Sequence, residues 1–150
     1  PAWLKTRAVT ARLVAADAEY LAGRRVLVAD DNAINRHIVE RLLARLGVET
    51  ESVDNGRRAV DAVLAAPQPF DLVLMDVEMP ELDGLAATRL IRERIPAGTL
   101  PIVAMTAHAM EQERRLCLEA GMNDRVTKPL DPKEFAQTLR RWIREPQRAP

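Results

Sequence analysis

Cysteine, aromatic residues and net charge are all scarce in this 150-residue chain, and each scarcity excludes a class of protein. Cys117 is the only cysteine, so the chain cannot form an internal disulfide and suits a reducing compartment. Lysine and arginine (22) balance aspartate and glutamate (22), so no overall field favours nucleic acid or an anionic membrane. Aromatic residues make up 3% of the sequence, which leaves little for a flavin to stack against.

Long apolar runs are also missing. No stretch approaches the roughly 20 apolar residues that a membrane-spanning helix requires. The first residues lack the basic, apolar and small-residue order of a secretory signal peptide. We therefore expect a soluble, cytoplasmic segment with the length of one ordinary domain. Because the chain starts at Pro1 without a methionine, we expect it to come from a longer protein, whose anchoring in an inner membrane is left open.

Short apolar runs alternate with helical patterns five times along the chain. Three of the runs, residues 26–29, 72–75 and 102–105, are continuously apolar, which is typical of strands covered by helices on both faces. The predicted strands are residues 26–29, 48–53, 72–75, 102–105 and 125–127. Five such units with short connections predict an α/β fold, with a parallel sheet, right-handed crossovers and helices on both faces.

The predicted helices differ in the strength of their signals. In the first, apolar residues recur at helical spacing until Gly47 ends the helix: Ile34, Ile38, Leu42 and Leu46. The helix over residues 109–120 is weakly amphipathic, because the polar residues 111–115 interrupt its apolar face, and we expect it to pack most loosely. The last helix has the clearest start, with Asp131 as N-cap, Pro132 at the first position and Glu134 completing a capping-box variant.

Side chains able to perform chemistry follow four of the five predicted strands. They are Asp30 and Asp31 after the first strand, Asp76 after the third, Thr106 after the fourth and Lys128 after the fifth. Because parallel strands end at one sheet edge, these side chains are expected to meet there. Clustered carboxylates raise one another's pKa unless a cation joins them, and oxygen ligands suit Mg²⁺. A hydroxyl and a lysine suit a phosphoryl group, so the set predicts aspartyl-phosphate chemistry.

Each of these residues also has an ordinary structural interpretation. Asp30 or Asp31 could cap the first helix, Thr106 could belong to a turn, and Lys128 could lie on the surface of the sheet. Five such residues at neighbouring strand ends are an improbable coincidence. Their joint occurrence favours the functional interpretation.

Four ordered motifs resemble the receiver domain of two-component response regulators over about residues 24–143. The motifs are Asp30-Asp31-Asn32, Met75-Asp76-Val77-Glu78-Met79-Pro80 followed by Asp83-Gly84, Met105-Thr106-Ala107, and Lys128-Pro129. The resemblance implies a flavodoxin-like strand order of 2-1-3-4-5 and makes Asp76 the acceptor of a phosphoryl group from phosphohistidine. It further implies that Mg²⁺ is held by Asp30, Asp31, Asp76 and the Glu78 backbone carbonyl, and that Thr106 and Lys128 contact the phosphoryl group.

The resemblance also assigns roles near these motifs. It implies a cis peptide bond before Pro129. Glu78, Ala107 and His108 occupy the loop positions expected to modulate the reaction, with Glu78 and His108 tuning the access of water to the acyl phosphate. Many receivers have an aromatic switch residue three positions before the lysine, where this chain has Arg125. We therefore expect a switch through Thr106, with Arg125 in the aromatic position, instead of one through a rotating ring.

The sequence is most similar to receivers fused to hybrid sensor histidine kinases, through residues 30–36, 83–89, 105–110 and 120–122. This similarity implies a histidine kinase or histidine phosphotransfer domain as the partner, with no nucleic acid and no membrane contact. Ile34, Arg36 and Ile38 are candidates for the docking surface, although core packing is the favoured interpretation for Ile38. A homodimer through the fourth and fifth helices is left open.

The expected organisation is a linker or docking segment over residues 1–23, a receiver domain over 24–144 and a tail over 145–150. The domain is expected to accept a phosphoryl group without being a conventional enzyme. Two alternatives are a pseudo-receiver that serves only as an interaction module and an aspartate-nucleophile phosphatase of the haloacid dehalogenase type. The phosphatase requires Asp-x-Asp after the first strand, which Asp30-Asp31-Asn32 does not supply. His37 is expected on a helix surface and Cys117 in the core.

Overall fold

Five parallel strands form one sheet in the computed structural model, which describes residues 16–66, 68–108 and 110–143. The strands are β1 (Arg25–Ala29), β2 (Glu49–Val53), β3 (Leu72–Asp76), β4 (Ile102–Thr106) and β5 (Asp124–Thr127). Their order is β2-β1-β3-β4-β5, and Val28 of β1 lies opposite Leu74 of β3 in the register. The predicted fold class and strand order are confirmed.

Helices cover both faces of the sheet, because successive residues of the buried strands point to opposite sides. The helices are α1 (Ala33–Arg45), α2 (Gly56–Ala65), α3 (Gly84–Arg92), α4 (Glu111–Ala120) and α5 (Pro132–Trp142). Val28 and Leu74 pack with α1 and α5 on one face, whereas Val73 and Met75 pack with α2, α3 and α4 on the other. Within the described residues, no helix is long and apolar enough to cross a membrane.

The burial of α1 differs from the prediction at Ile38. Val39, Leu43 and Leu46 are buried, whereas Ile34 is 72% exposed and Ile38 is 48% exposed. The prediction of core packing for Ile38 is therefore wrong. Two apolar rows compete along this helix, and the contacts of the row through Val39 and Leu43 with the sheet decide which one is buried.

Most helices start at a residue whose side chain accepts a hydrogen bond from the first turn. Asp131 caps α5 by accepting from the Lys133 N–H, with Pro132 at the start of the helix, as predicted. Asn32 caps α1, so neither Asp30 nor Asp31 has the capping role considered for them. At α4 the N-cap position is Met110, and no side chain in the described part of the chain caps that helix there.

Residues 16–21 form a further helical segment that packs against α5. Leu21 is buried, the Tyr20 hydroxyl donates to the Ile143 carbonyl at 2.9 Å, and Asp17 pairs with Arg140 at 3.0 Å. Most of the predicted linker (residues 1–15) and the predicted tail lie outside the described residues.

Candidate functional site

The end of β1 places two carboxylates at the carboxyl edge of the sheet. Asp30 is fully buried, and its Oδ1 accepts a hydrogen bond of 2.9 Å from the Asn32 N–H. Asp31 is exposed and lines the cavity at this edge. The Arg36 side chain donates to the Asp30 carbonyl at 2.8 Å, which ties α1 to the end of the strand. The local bonds around Asp30 therefore fix one carboxylate and leave the other facing solvent.

Asp76 is the last residue of β3 and is also buried. Its Oδ1 lies 3.3 Å from the Glu78 N–H that donates to it. Gly84, the first residue of α3, lies against the same strand end: a Cβ at this position would come within 2.1 Å of the Asp76 carbonyl oxygen. The absence of a side chain at Gly84 therefore allows α3 to begin close behind Asp76.

Lys128 follows β5 and reaches both buried carboxylates. Its Nζ lies 3.1 Å from Asp30 Oδ2 and 3.5 Å from Asp76 Oδ2. The Lys128 N–H donates to the Thr106 carbonyl at 2.8 Å, which holds the end of β5 beside the end of β4. The following bond to Pro129 is cis, as the sequence resemblance implied.

Thr106 ends β4 and is 3% exposed. Its Oγ1 accepts from the His108 N–H at 3.1 Å and donates to Glu113 Oε1 of α4 at 2.6 Å. The hydroxyl is thus the point where β4, the β4–α4 loop and the first turn of α4 meet.

A cavity of about 470 Å³ opens between these strand ends. Five of the predicted site residues line this cavity. Four lie at or just after the ends of strands and one lies in the loop after β3: Asp31, Asp76, Thr106, Lys128 and Glu78. The loop residues Ala107 and His108 line it as well, and both are exposed. Asp30 lies beneath, where it contacts Lys128. The sheet therefore brings together the acidic, hydroxyl and ammonium groups that the sequence placed at separate strand ends.

The electrostatics of the carboxylates suit a divalent cation. Asp30, Asp31 and Asp76 each offer an oxygen, and these oxygens lie within 4.8 Å of one another. Burial and the neighbouring Asp30 raise the pKa of Asp76 to about 6, although Lys128 and the Glu78 N–H act in the opposite direction. A hard cation among the three carboxylates would relieve both effects. The donor set and its spacing therefore fit Mg²⁺.

Glu113 and Asn35 also line the cavity, although sequence reasoning did not identify them. Glu113 stands inside a polar run that indicated only a weakly amphipathic helix. The one sequence feature that could have indicated its place in the site was its position seven residues after Thr106, in the first turn of the next helix. Arg125 lies outside the residues lining this cavity, and its Nη1 donates to the Met110 carbonyl at 3.2 Å.

Comparison with known proteins places this geometry in a family. The family model for the response regulator receiver domain matches residues 26–140 of this chain. The sensor histidine kinase GacS of Pseudomonas protegens is 46% identical over 121 residues, which are 79% of this chain and 13% of the relative. The chain thus spans about an eighth of the length of that relative.

Solved structures agree with the family match. The receiver domain of sensor histidine kinase PA1611 from Pseudomonas aeruginosa, which has magnesium coordinated in its active-site cleft, is 41% identical, with a TM-score of 0.73 over 81% of this chain and 98% of that chain. A co-crystal structure of the Saccharomyces cerevisiae phosphotransfer protein Ypd1 with the Ssk1 receiver domain matches at 27% identity and a TM-score of 0.72, over 82% of this chain and 90% of that chain. This chain belongs to the response regulator receiver domain family.

Proposed function

We propose that Asp76 accepts a phosphoryl group from a phosphohistidine in a two-component phosphorelay. The observation that carries the proposal is the convergence of Asp30, Asp31, Asp76, Thr106 and Lys128 on one cavity. Family membership supports it, because aspartate phosphorylation is what a receiver domain would be expected to perform. The cavity is open to solvent at Asp31 and His108, so a donor side chain can approach Asp76.

In the proposed reaction, one Asp76 carboxylate oxygen attacks phosphorus. An oxygen–phosphorus bond forms while the phosphorus–nitrogen bond of the phosphohistidine breaks, and the imidazole nitrogen keeps the electron pair. Lys128, already within 3.5 Å of Asp76, balances charge on the transferred group. The Thr106 hydroxyl donates to a phosphoryl oxygen after transfer.

The proposed magnesium ligands are Asp30, Asp31, Asp76 and the backbone carbonyl of Glu78. Bound Mg²⁺ would supply positive charge to the phosphoryl oxygens. Glu78 and His108, with Ala107 beside His108, line the open side of the cavity. We assign them the modulation of water access to the acyl phosphate, and we assign the switch to Thr106 and Arg125.

The proposed donor is a histidine phosphotransfer domain or a histidine kinase that docks on α1. Ile34 and Ile38 are exposed on this helix, and Ile38 lines a second cavity of about 380 Å³ that also contacts Lys128 and Pro129. An apolar helix face bound there would place a histidine near Asp76. Arg36 stands beside this surface, although its guanidinium bonds inward to Asp30.

The proposed parent is a hybrid sensor histidine kinase, with the receiver at residues 24–144 on its cytoplasmic side and an anchor in the inner membrane. The similarity to part of GacS and to the PA1611 receiver supports this context. Residues 1–23 would then be the segment that connects the receiver to the preceding domain. The part of this segment over residues 16–21 packs on α5.

The test of the phosphoacceptor is incubation with phosphoramidate and Mg²⁺, followed by intact-mass and peptide mass spectrometry. Wild type should gain one phosphoryl group at Asp76, and Asp76→Asn should gain none. Asp83→Asn is the matched control, because asparagine also caps helices and Asp83 caps α3. Undiminished modification of Asp76→Asn would overturn the assignment, and omission of Mg²⁺ should reduce labelling of the wild type strongly.

Docking is tested separately with a phosphorylated histidine phosphotransfer protein as donor. Ile34→Ala/Ile38→Ala should slow transfer from that protein while leaving labelling by phosphoramidate unchanged. Equal losses with both donors would show that the two isoleucines act on the site itself and would refute the docking surface.

A further inference from the structure

Glu113 accepts a hydrogen bond from the hydroxyl group of Thr106. The Thr106 hydroxyl donates to Glu113 Oε1 at 2.6 Å, a length typical of a hydrogen bond to an ionised carboxylate. Both residues line the cavity that contains Asp76. The carboxylate therefore reaches the phosphoryl site from α4, the helix that follows β4.

A threonine hydroxyl has one proton to donate. Thr106 Oγ1 also accepts from the His108 N–H at 3.1 Å. The His108 carbonyl lies at 3.1 Å as a second acceptor for the hydroxyl proton, but Glu113 Oε1 is closer, at 2.6 Å. A phosphoryl group on Asp76 would present oxygens that accept but do not donate, so Thr106 can bind one of them only by giving up Glu113. The two acceptors compete for the same proton.

Repulsion between negative charges adds to this competition. Asp31, Asp76, Glu78 and Glu113 place four carboxylates in the cavity lining, against the single ammonium group of Lys128. An arriving phosphoryl group adds further negative charge beside these carboxylates, in a partly buried site where screening is weak. Glu113 thus opposes the phosphorylated state both as a competing acceptor and as a like charge.

Glu113 also belongs to the first turn of α4, which no side chain within residues 16–66, 68–108 and 110–143 caps at the N-cap position. The hydrogen bond from Thr106 therefore ties this turn to the end of β4. Loss of the bond on phosphorylation would free the start of α4 to move.

We infer that Glu113 is a positioning residue that holds Thr106 away from the phosphoryl group, so that phosphorylation requires the Thr106–Glu113 bond to break. The inference rests on the proposed function of Asp76. The Glu113 carboxylate thus limits how readily this receiver is phosphorylated, and loss of its hydrogen bond transmits phosphorylation to α4.

The test compares Glu113→Gln with Glu111→Gln in labelling by phosphoramidate and Mg²⁺. Glutamine keeps the size of the side chain but is a weaker acceptor without charge, so Glu113→Gln should raise the labelling rate at subsaturating donor about fivefold. Glu111 lies in the same helical turn, pairs with Arg114 and does not line the cavity, so Glu111→Gln should leave the rate within about twofold.

A double-mutant cycle separates competition for the proton from simple charge removal. In a Thr106→Ala background, Glu113→Gln should lose most of its effect, and Thr106→Ser should restore that effect because serine keeps the hydroxyl. A full effect without the hydroxyl would overturn the inference. Equal rates for wild type, Glu113→Gln and Glu111→Gln would overturn it as well, whereas absence of labelling in wild type would refute the proposed function itself.

A measurement on the wild type avoids any dependence on folding of the variants. The carboxylate ¹³C resonance of Glu113 should shift when beryllium fluoride and Mg²⁺ bind, because its hydrogen bond from Thr106 is lost. The Glu111 resonance should stay in place. Binding of beryllium fluoride without a shift at Glu113 would contradict the inference.

Discussion

Helices α1 and α4 both begin at the carboxyl edge of the sheet, but they are held there in different ways. The start of α1 is fixed locally, because Asn32 accepts from the Asn35 N–H at 3.0 Å and Arg36 bonds to the Asp30 carbonyl. The start of α4 has Met110 at the N-cap position, without a side-chain capping bond among the residues that the structure describes. Its ties come from Thr106 on β4 and Arg125 on β5.

The same contrast continues along the two helices. Each helix buries two of its described residues, but Val39 and Leu43 of α1 are larger apolar side chains than Cys117 and Ala120 of α4. Leu116 and Leu118 of α4 are each 47% exposed. A helix with few buried apolar contacts opens at lower free energy than one anchored in the core. The carboxylates next to α1 therefore stand on rigid support, while the helix tied to Thr106 is the one that can move.

The largest expected difference between the helices is in core packing. Leu43→Ala should lower the free energy of unfolding by about 3 kcal/mol, because it leaves a cavity among fully buried neighbours. Leu116→Ala should lower it by less than about 1 kcal/mol, because half of that side chain already contacts solvent. Urea unfolding followed by circular dichroism measures both. Equal losses would show that α4 is anchored as firmly as α1.

Cys117 reports the opening of α4 directly. Burial and the neighbouring Glu113 raise the pKa of its thiol, although Arg125 acts in the opposite direction, and the side chain is buried. Native protein should therefore react with a disulfide reagent at least about tenfold more slowly than a free thiol. The control is the same protein unfolded in urea. Native labelling at the unfolded rate would mean that α4 does not pack on the sheet.

The capping difference should appear as a smaller effect on stability. Asn32→Ala should cost about 1 kcal/mol of unfolding free energy, because the Asn35 N–H loses its acceptor. Met110→Ala should change stability by less than about 0.5 kcal/mol, since no capping bond is lost. Urea unfolding of the pair tests this, and a larger loss at Met110 than at Asn32 would reverse the comparison.

The smallest effect should come from giving α4 the cap that it lacks. Met110→Thr should stabilise the start of α4 by about 0.5 kcal/mol and slow the labelling of Cys117 about twofold. Met110→Val is the matched control, because valine has the shape of threonine without the hydroxyl. If valine slows labelling as much as threonine, the effect comes from β-branching and not from capping.

Much of the fold could be predicted because its signals are local. Residues 72–75 form a continuous apolar run, which is sufficient to predict a strand buried on both faces, and the start of α5 follows from Asp131 and Pro132. The predicted convergence of the five site residues required only that the strands be parallel. Their chemical roles remain predictions.

Two features could not be predicted because they depend on packing between elements. Ile38 and Val39 are neighbours and both apolar, and only the contact of α1 with the sheet decides that Val39 is buried. Glu113 lies among other polar residues in the sequence, and only its hydrogen bond from the Thr106 hydroxyl distinguishes it from them.

The amino-acid sequence by itself determined the five strand–helix units and the chemical groups at the end of each strand, because both follow from short-range periodicity and residue type. Only the tertiary structure decided how each helix is rotated on the sheet and which acceptor binds the Thr106 proton. Those choices depend on distances of a few ångströms between residues of different elements, and side-chain packing sets such distances only after the whole sheet has assembled.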